Sequence, residues 1–75
     1  MKFIQRLINL QNIKEEMKSY FGRGIFQFKE ARNNIIGYNK SVNYKLLQDG
    51  FIKVYSVHRT PAKTRTRYWI NKDFL

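Results

Sequence analysis

The chain has no cysteine, one proline, one tryptophan, one histidine and only five acidic residues among 75. Without cysteine, disulfides and thiolate metal sites are excluded, so a chain of this size must rest on its apolar core, helped at most by a partner subunit. A domain this small buries only about 60% of its unfolded surface. No apolar run approaches the roughly 18 to 20 residues needed to cross a bilayer. The N-terminal apolar stretch is broken by Gln5, Arg6, Asn9 and Gln11 and no small-residue cleavage site follows. It reads as a poor signal peptide, which points to a cytoplasmic protein. The lone His58 has no acid at ligand spacing, which argues against a metal centre. No nucleophile motif, phosphate loop or carboxylate cluster occurs, so neither an enzyme nor a cofactor is expected.

What the chain has in excess is positive charge and aromatic rings. Fifteen Lys and Arg set a net charge of +10, hydrophobic residues make up 43%, and aromatics 16%. The charge is uneven: Glu15, Glu16 and Glu30 fall early, whereas Arg32 to Lys72 holds nine basic residues against Asp49 alone, or +8. A field of one sign is costly unless a polyanion uses it. Nucleic acid is the expected partner, ahead of an acidic protein and well ahead of a membrane.

One domain is expected, with no repeat, low-complexity tract or linker. Phe3, Ile4, Leu7 and Ile8 form an amphipathic face in an N-terminal helical extension over residues 1–11. That face is a candidate contact for a homodimer or a larger assembly, packing on its own core being the alternative. Asn12 followed by Glu15 matches a helix-start pattern, and Ile13, Met17, Tyr20 and Phe21 continue a helix to Gly22. Whether residues 1–20 form one helix or two is open; the cap favours a break and the apolar phase continuity. Ile25-Phe26-Gln27 can pair as a short edge strand. Phe28 to Tyr38 reads as a short helix, with Ala31, Ile35 and Ile36 inward, ending at Gly37. Asn39 to Asp49 reads as a second helix, Val42, Leu46 and Leu47 inward, stopped by Gly50. The helical part thus spans 12–50.

Phe51 to His58 and Arg65 to Asn71 are β-prone, and the wing they form spans 51–71. In the last strand Thr66, Tyr68 and Ile70 share one face. The connecting Arg59-Thr60-Pro61-Ala62-Lys63-Thr64 is a polar hairpin tip. Phe3, Tyr20, Phe21, Phe26, Phe28, Phe51, Tyr68 and Phe74 are assigned to the core, where large rings remove the most apolar area from water.

Two basic elements carry the expected chemistry. On the second helix Asn39, Lys40, Ser41, Asn43, Tyr44 and Lys45 offer amides, ammonium groups and hydroxyls, the repertoire that matches base edges and phosphate. Asn39 has an equal or better claim to be a helix cap. On the wing, Arg59, Lys63, Arg65 and Arg67 alternate with Thr60, Thr64 and Thr66, a composition suited to phosphate. Their plainer reading is a charged tip that prevents edge-to-edge sheet pairing. Trp69, beside Arg67, is a possible stacking residue for a single strand, or else packs on a helix.

Helix, turn, helix and a ribbon with a cationic tip follow one another from Phe26 to Ile70, and in that order the chain resembles the winged helix-turn-helix superfamily of bacterial and phage DNA-binding proteins. The likeness is carried by Ile36-Gly37-Tyr38-Asn39-Lys40-Ser41-Val42, similar to the turn into a recognition helix. Leu46-Leu47-Gln48-Asp49-Gly50-Phe51-Ile52 is similar to the exit into the first wing strand. It covers about 45 of the 75 residues, and no subfamily is indicated. Val42 to Gly50 is about one helical turn shorter than the common pattern, so either the recognition helix is short or it begins nearer Gly37 with Tyr38 inward.

The resemblance implies an α+β winged helix: about three helices, a small antiparallel ribbon and an extra N-terminal helical segment. Its function would be duplex DNA binding in a regulator, or in a replication or recombination accessory, of a bacterium, phage or mobile element. Alternatives are a protein-binding module of the same fold that inhibits an acidic host factor, and a single-stranded DNA or RNA binder using Trp69, Tyr55 and the ribbon arginines.

Overall fold

The computed structural model describes residues 10–75. The Phe3, Ile4, Leu7 and Ile8 face, with residues 1–9 of the extension, lies outside the described residues. Among the described residues three helices and a three-stranded antiparallel sheet make an α+β fold with a winged-helix-like layout. The elements are α1 (Leu10–Phe21), β1 (Phe26–Gln27), α2 (Phe28–Asn34), α3 (Lys40–Asp49), β2 (Ile52–Arg59) and β3 (Thr64–Ile70). A single 3-10 turn, Lys72–Phe74, follows.

Helix α1 runs through Asn12, so the expected cap there is not used. The reason is packing. Leu10, Ile13, Met17 and Phe21 keep one helical phase and all meet the core, which outweighs a local capping preference. Glu15 is engaged elsewhere, accepting from the Gln11 side-chain amide at 2.9 Å and pairing with Lys18 at 3.3 Å. The acid that does reach back to a helix start is Glu30, whose Oε1 accepts from the Gln27 backbone N–H at 2.9 Å.

The core joins Ile13 and Met17 of α1, Phe26 of β1, Ala31 and Ile35 at α2, Val42 and Leu46 of α3, and Ile52, Tyr68 and Ile70 of the sheet, with Tyr38 and Phe51 between elements. Leu47 and Phe28 are half-buried against it. Three residues expected inside are not. Helix α2 stops at Asn34, so Ile36 falls in the following turn and is 85% exposed, and Tyr38 fills the inward place instead. Tyr20 and Phe74 are also exposed, each leaning edge-on against a core ring, Phe21 and Phe51 respectively.

Both readings of the second helix hold in part. It is short, ten residues from Lys40, and Tyr38 points inward ahead of it without being helical. Its exit is a Schellman motif. Gly50 takes φ 80°, the Gly50 N–H donates to Leu47 O and the Phe51 N–H to Leu46 O, and Leu46 and Phe51 are both core.

The sheet order is β1-β3-β2. The expected edge strand forms over Phe26 and Gln27, opposite Tyr68 and Arg67, tying the helical half to the wing. A bulge between Val54 and Ser56 interrupts the β2–β3 ladder. Beyond it only Ser56 and Thr66 are even half-buried along the two strands. At the tip Thr60 closes the turn three ways: its N–H and hydroxyl both donate to Lys63 O, and its Oγ1 accepts from the Lys63 N–H.

Candidate nucleic-acid interface

An open cleft of about 810 Å³ lies between α3, the start of α2 and the cleft-facing side of the wing. Lys40, Asn43, Tyr44 and Leu47 line it from α3, at the spacing that keeps side chains on one helical face. Lys63, Thr64, Arg65 and Thr66 line it from the wing, and Gln27, Phe28 and Lys29 close one end. The helix and wing, read separately in the sequence, thus become two walls of one concavity.

Its charge is of one sign. Four cations (Lys29, Lys40, Lys63 and Arg65) and no acid line it. Three of the five acids are engaged with other groups: Glu15 with Lys18, Asp49 with Lys14 at 4.0 Å, and Glu30 on the Gln27 backbone N–H. Lys29 and Lys40 sit in the first turns of α2 and α3, where a cation meets the positive end of the helix dipole and gains nothing from it. A bound anion would relieve both.

Of the expected helix contacts, Lys40, Ser41, Tyr44 and Lys45 are exposed, Tyr44 to 63%. Asn39 is a cap: its Oδ1 accepts from the Val42 N–H at 2.9 Å. Asn43 is corrected. Its side chain turns inward, leaving the residue 9% exposed at the floor of the cleft; Oδ1 accepts from the Tyr38 hydroxyl, and Nδ2 donates to the Tyr68 hydroxyl at 3.4 Å. Asn43 follows Val42 and precedes Leu46 by three positions, so it lies on the edge of the buried stripe; two tyrosine hydroxyls satisfy its amide there. It therefore holds α3 to the sheet, with both ends of its amide engaged, instead of standing on the outer face. Burial, and secondarily the neighbouring Tyr68, push the Tyr38 phenol well above its ordinary value.

The wing cations divide. Lys63 and Arg65 line the cleft, Arg59 stands at the base of the tip, and Arg67 lies opposite Ser56 on the strand face that carries Trp69. Lys29 and Gln27 are additions that the sequence reading missed. A lysine at the second position of a helix begun by a back-reaching glutamate was the available signal, because that placement is unfavourable for the helix alone.

Among the described residues no three His, Asp or Glu side chains could share a metal ion, and no helix is long and apolar enough to cross a membrane. No family model, no curated protein and no solved structure matches the chain.

Proposed function

We propose that the chain is a small basic winged-helix protein that binds double-stranded DNA, with a regulatory or a replication or recombination accessory role in a bacterium, phage or mobile element. The observation that carries this reading is the acid-free cleft, in which Lys29, Lys40, Lys63 and Arg65 converge from three elements. A sugar-phosphate backbone running between α3 and the wing would meet all four cations. The exposed Ser41, Tyr44 and Lys45 would then face the adjoining groove. Nothing in this arrangement calls for a catalyst or a cofactor, and it suits the cytoplasm, where nucleic acid is met.

The test is the affinity for a mixed-sequence duplex, measured by anisotropy across a range of salt concentrations. Each neutralised phosphate contributes about −0.9 to the slope of log affinity against log salt, so four cleft contacts give a slope of about −3 to −4. Undetectable binding at low salt, or a slope near zero, would replace this reading with an acidic protein partner.

A further inference from the structure

The side of the sheet turned away from the cleft carries a different chemistry. Successive residues of a strand point to opposite faces, so Lys53, opposite Trp69, and Ser56, opposite Arg67, share the outer face. The bulge sets both Tyr55 and Ser56 of β2 against Arg67, giving this face one extra side chain. That side chain meets Trp69: the two rings lie edge to face, 5.6 Å between centroids and 69° apart, Tyr55 51% and Trp69 43% exposed. A tryptophan and a tyrosine left this open in a chain short of core are unusual, since either would be better covered by a helix. Around them stand Lys53, Arg67 and, toward the tip, His58, and neither β2 nor β3 contains an acid. Neither Trp69 nor Arg67 lines the cleft.

We infer that this outer face is a second nucleic-acid site, which takes an unpaired strand by stacking bases on Trp69 and Tyr55 while Lys53 and Arg67 hold the flanking phosphates. Open rings among cations are the chemistry of sequence-tolerant single-strand binding, because every base has a face to stack while its backbone needs positive charge. A protein partner would bury the rings as well, but a single strand brings a stacking face and a phosphate with every residue, which matches rings interleaved with cations along one ribbon face. The site stands on its own side of the sheet and does not depend on what occupies the cleft. Were both sites filled, the wing would separate duplex on one face from single strand on the other.

Trp69 is the chain's one tryptophan, so its emission reports this face directly. The full chain is titrated with a ~12-nucleotide oligothymidylate, its oligouridylate counterpart and a blunt duplex, while anisotropy of a labelled strand gives affinity. Either single strand should quench Trp69, the stronger of the two identifying DNA or RNA as the source, and the blunt duplex should leave the emission nearly unchanged. Trp69→Ala and Tyr55→Ala should each weaken single-strand binding at least about fivefold, with Trp69→Phe restoring most of it. Duplex affinity should change by less than about twofold, since neither ring lines the cleft. Tyr55 sits exposed on the bulge, so its variant remains informative should Trp69→Ala fold poorly. The inference is overturned by single strands that do not bind, by binding without quenching, or by ring variants that bind single strands as well as the parent. Equal loss of single strand and duplex in the ring variants would also overturn it. Weakened duplex binding in Lys40→Ala with single-strand binding intact supports two separate sites.

Discussion

Asn43 shows how much can turn on one side chain. Read along the sequence it belongs with Lys40 and Tyr44 as a polar, outward residue; in the fold it joins Tyr38 of the turn to Tyr68 of the wing. Nothing local distinguishes it from a surface asparagine, because its partners lie on other elements. Asn43→Ala should therefore cost about 1–3 kcal/mol in chemical denaturation, the penalty of leaving buried hydroxyls unpaired, and should not shift base preference. The Tyr38 end of the network adds a pH dependence. The buried phenol holds its proton above the ordinary value of 10.0. Its stabilising contribution is complete below pH 10 and is lost as pH rises toward the folded value, because the unfolded chain ionises first. Tyr38→Phe should melt lower than the parent near neutrality, and the gap should narrow steadily above pH 10. A gap independent of pH would place the phenol in solvent.

The elements were legible where a signal was local. Gly50 ended α3 as expected, Phe26 and Gln27 formed the edge strand, and the wing fell close to its expected bounds. Of the two readings left open at Asn12, the cap fails: Asn12 and Glu15 satisfy a capping pattern that tertiary packing overrides, and α1 runs through them. Ile36 was misjudged because helix periodicity was carried past Asn34, where the helix has ended. Lys29 escaped notice since its importance comes from neighbours across the cleft. Gly50 gives a clean measurement at this scale. A Cβ added there meets no atom within 4 Å, so Gly50→Ala isolates the strain of a left-handed residue. It should destabilise by about 1–2 kcal/mol without altering nucleic-acid contacts. A much larger loss would mean that the Schellman turn also sets the angle between α3 and the wing.

For the molecule as a whole, the distribution of charge matters more than its total. A net +10 could bind any polyanion diffusely, in which case each lysine would be equivalent. The cleft predicts inequality. Lys40→Ala and Lys72→Ala remove the same charge, but only Lys40 lines the cleft, Lys72 lying exposed in the C-terminal 3-10 turn. Lys40→Ala should lower the salt slope for duplex by about one phosphate and leave stability within about 0.5 kcal/mol, whereas Lys72→Ala should do neither. Equal effects would reduce the cleft to a coincidence of shape.

The thin burial of the wing has a consequence in time. Past the bulge the two strands are held by their ladder and by the Thr60 turn, with no core beneath them. Amide protons over residues 57–66 should therefore exchange through local opening, well before those of Phe26, Ile52 and Tyr68, which are protected until the whole molecule unfolds. Nucleic acid seated against Lys63 and Arg65 would have to quiet that motion, at a cost of up to about 1–2 kcal/mol for each residue fully ordered. Hydrogen exchange in the distal ladder should slow on binding, and part of the affinity should be absent from any measurement on the free protein because it is spent in stilling its own wing.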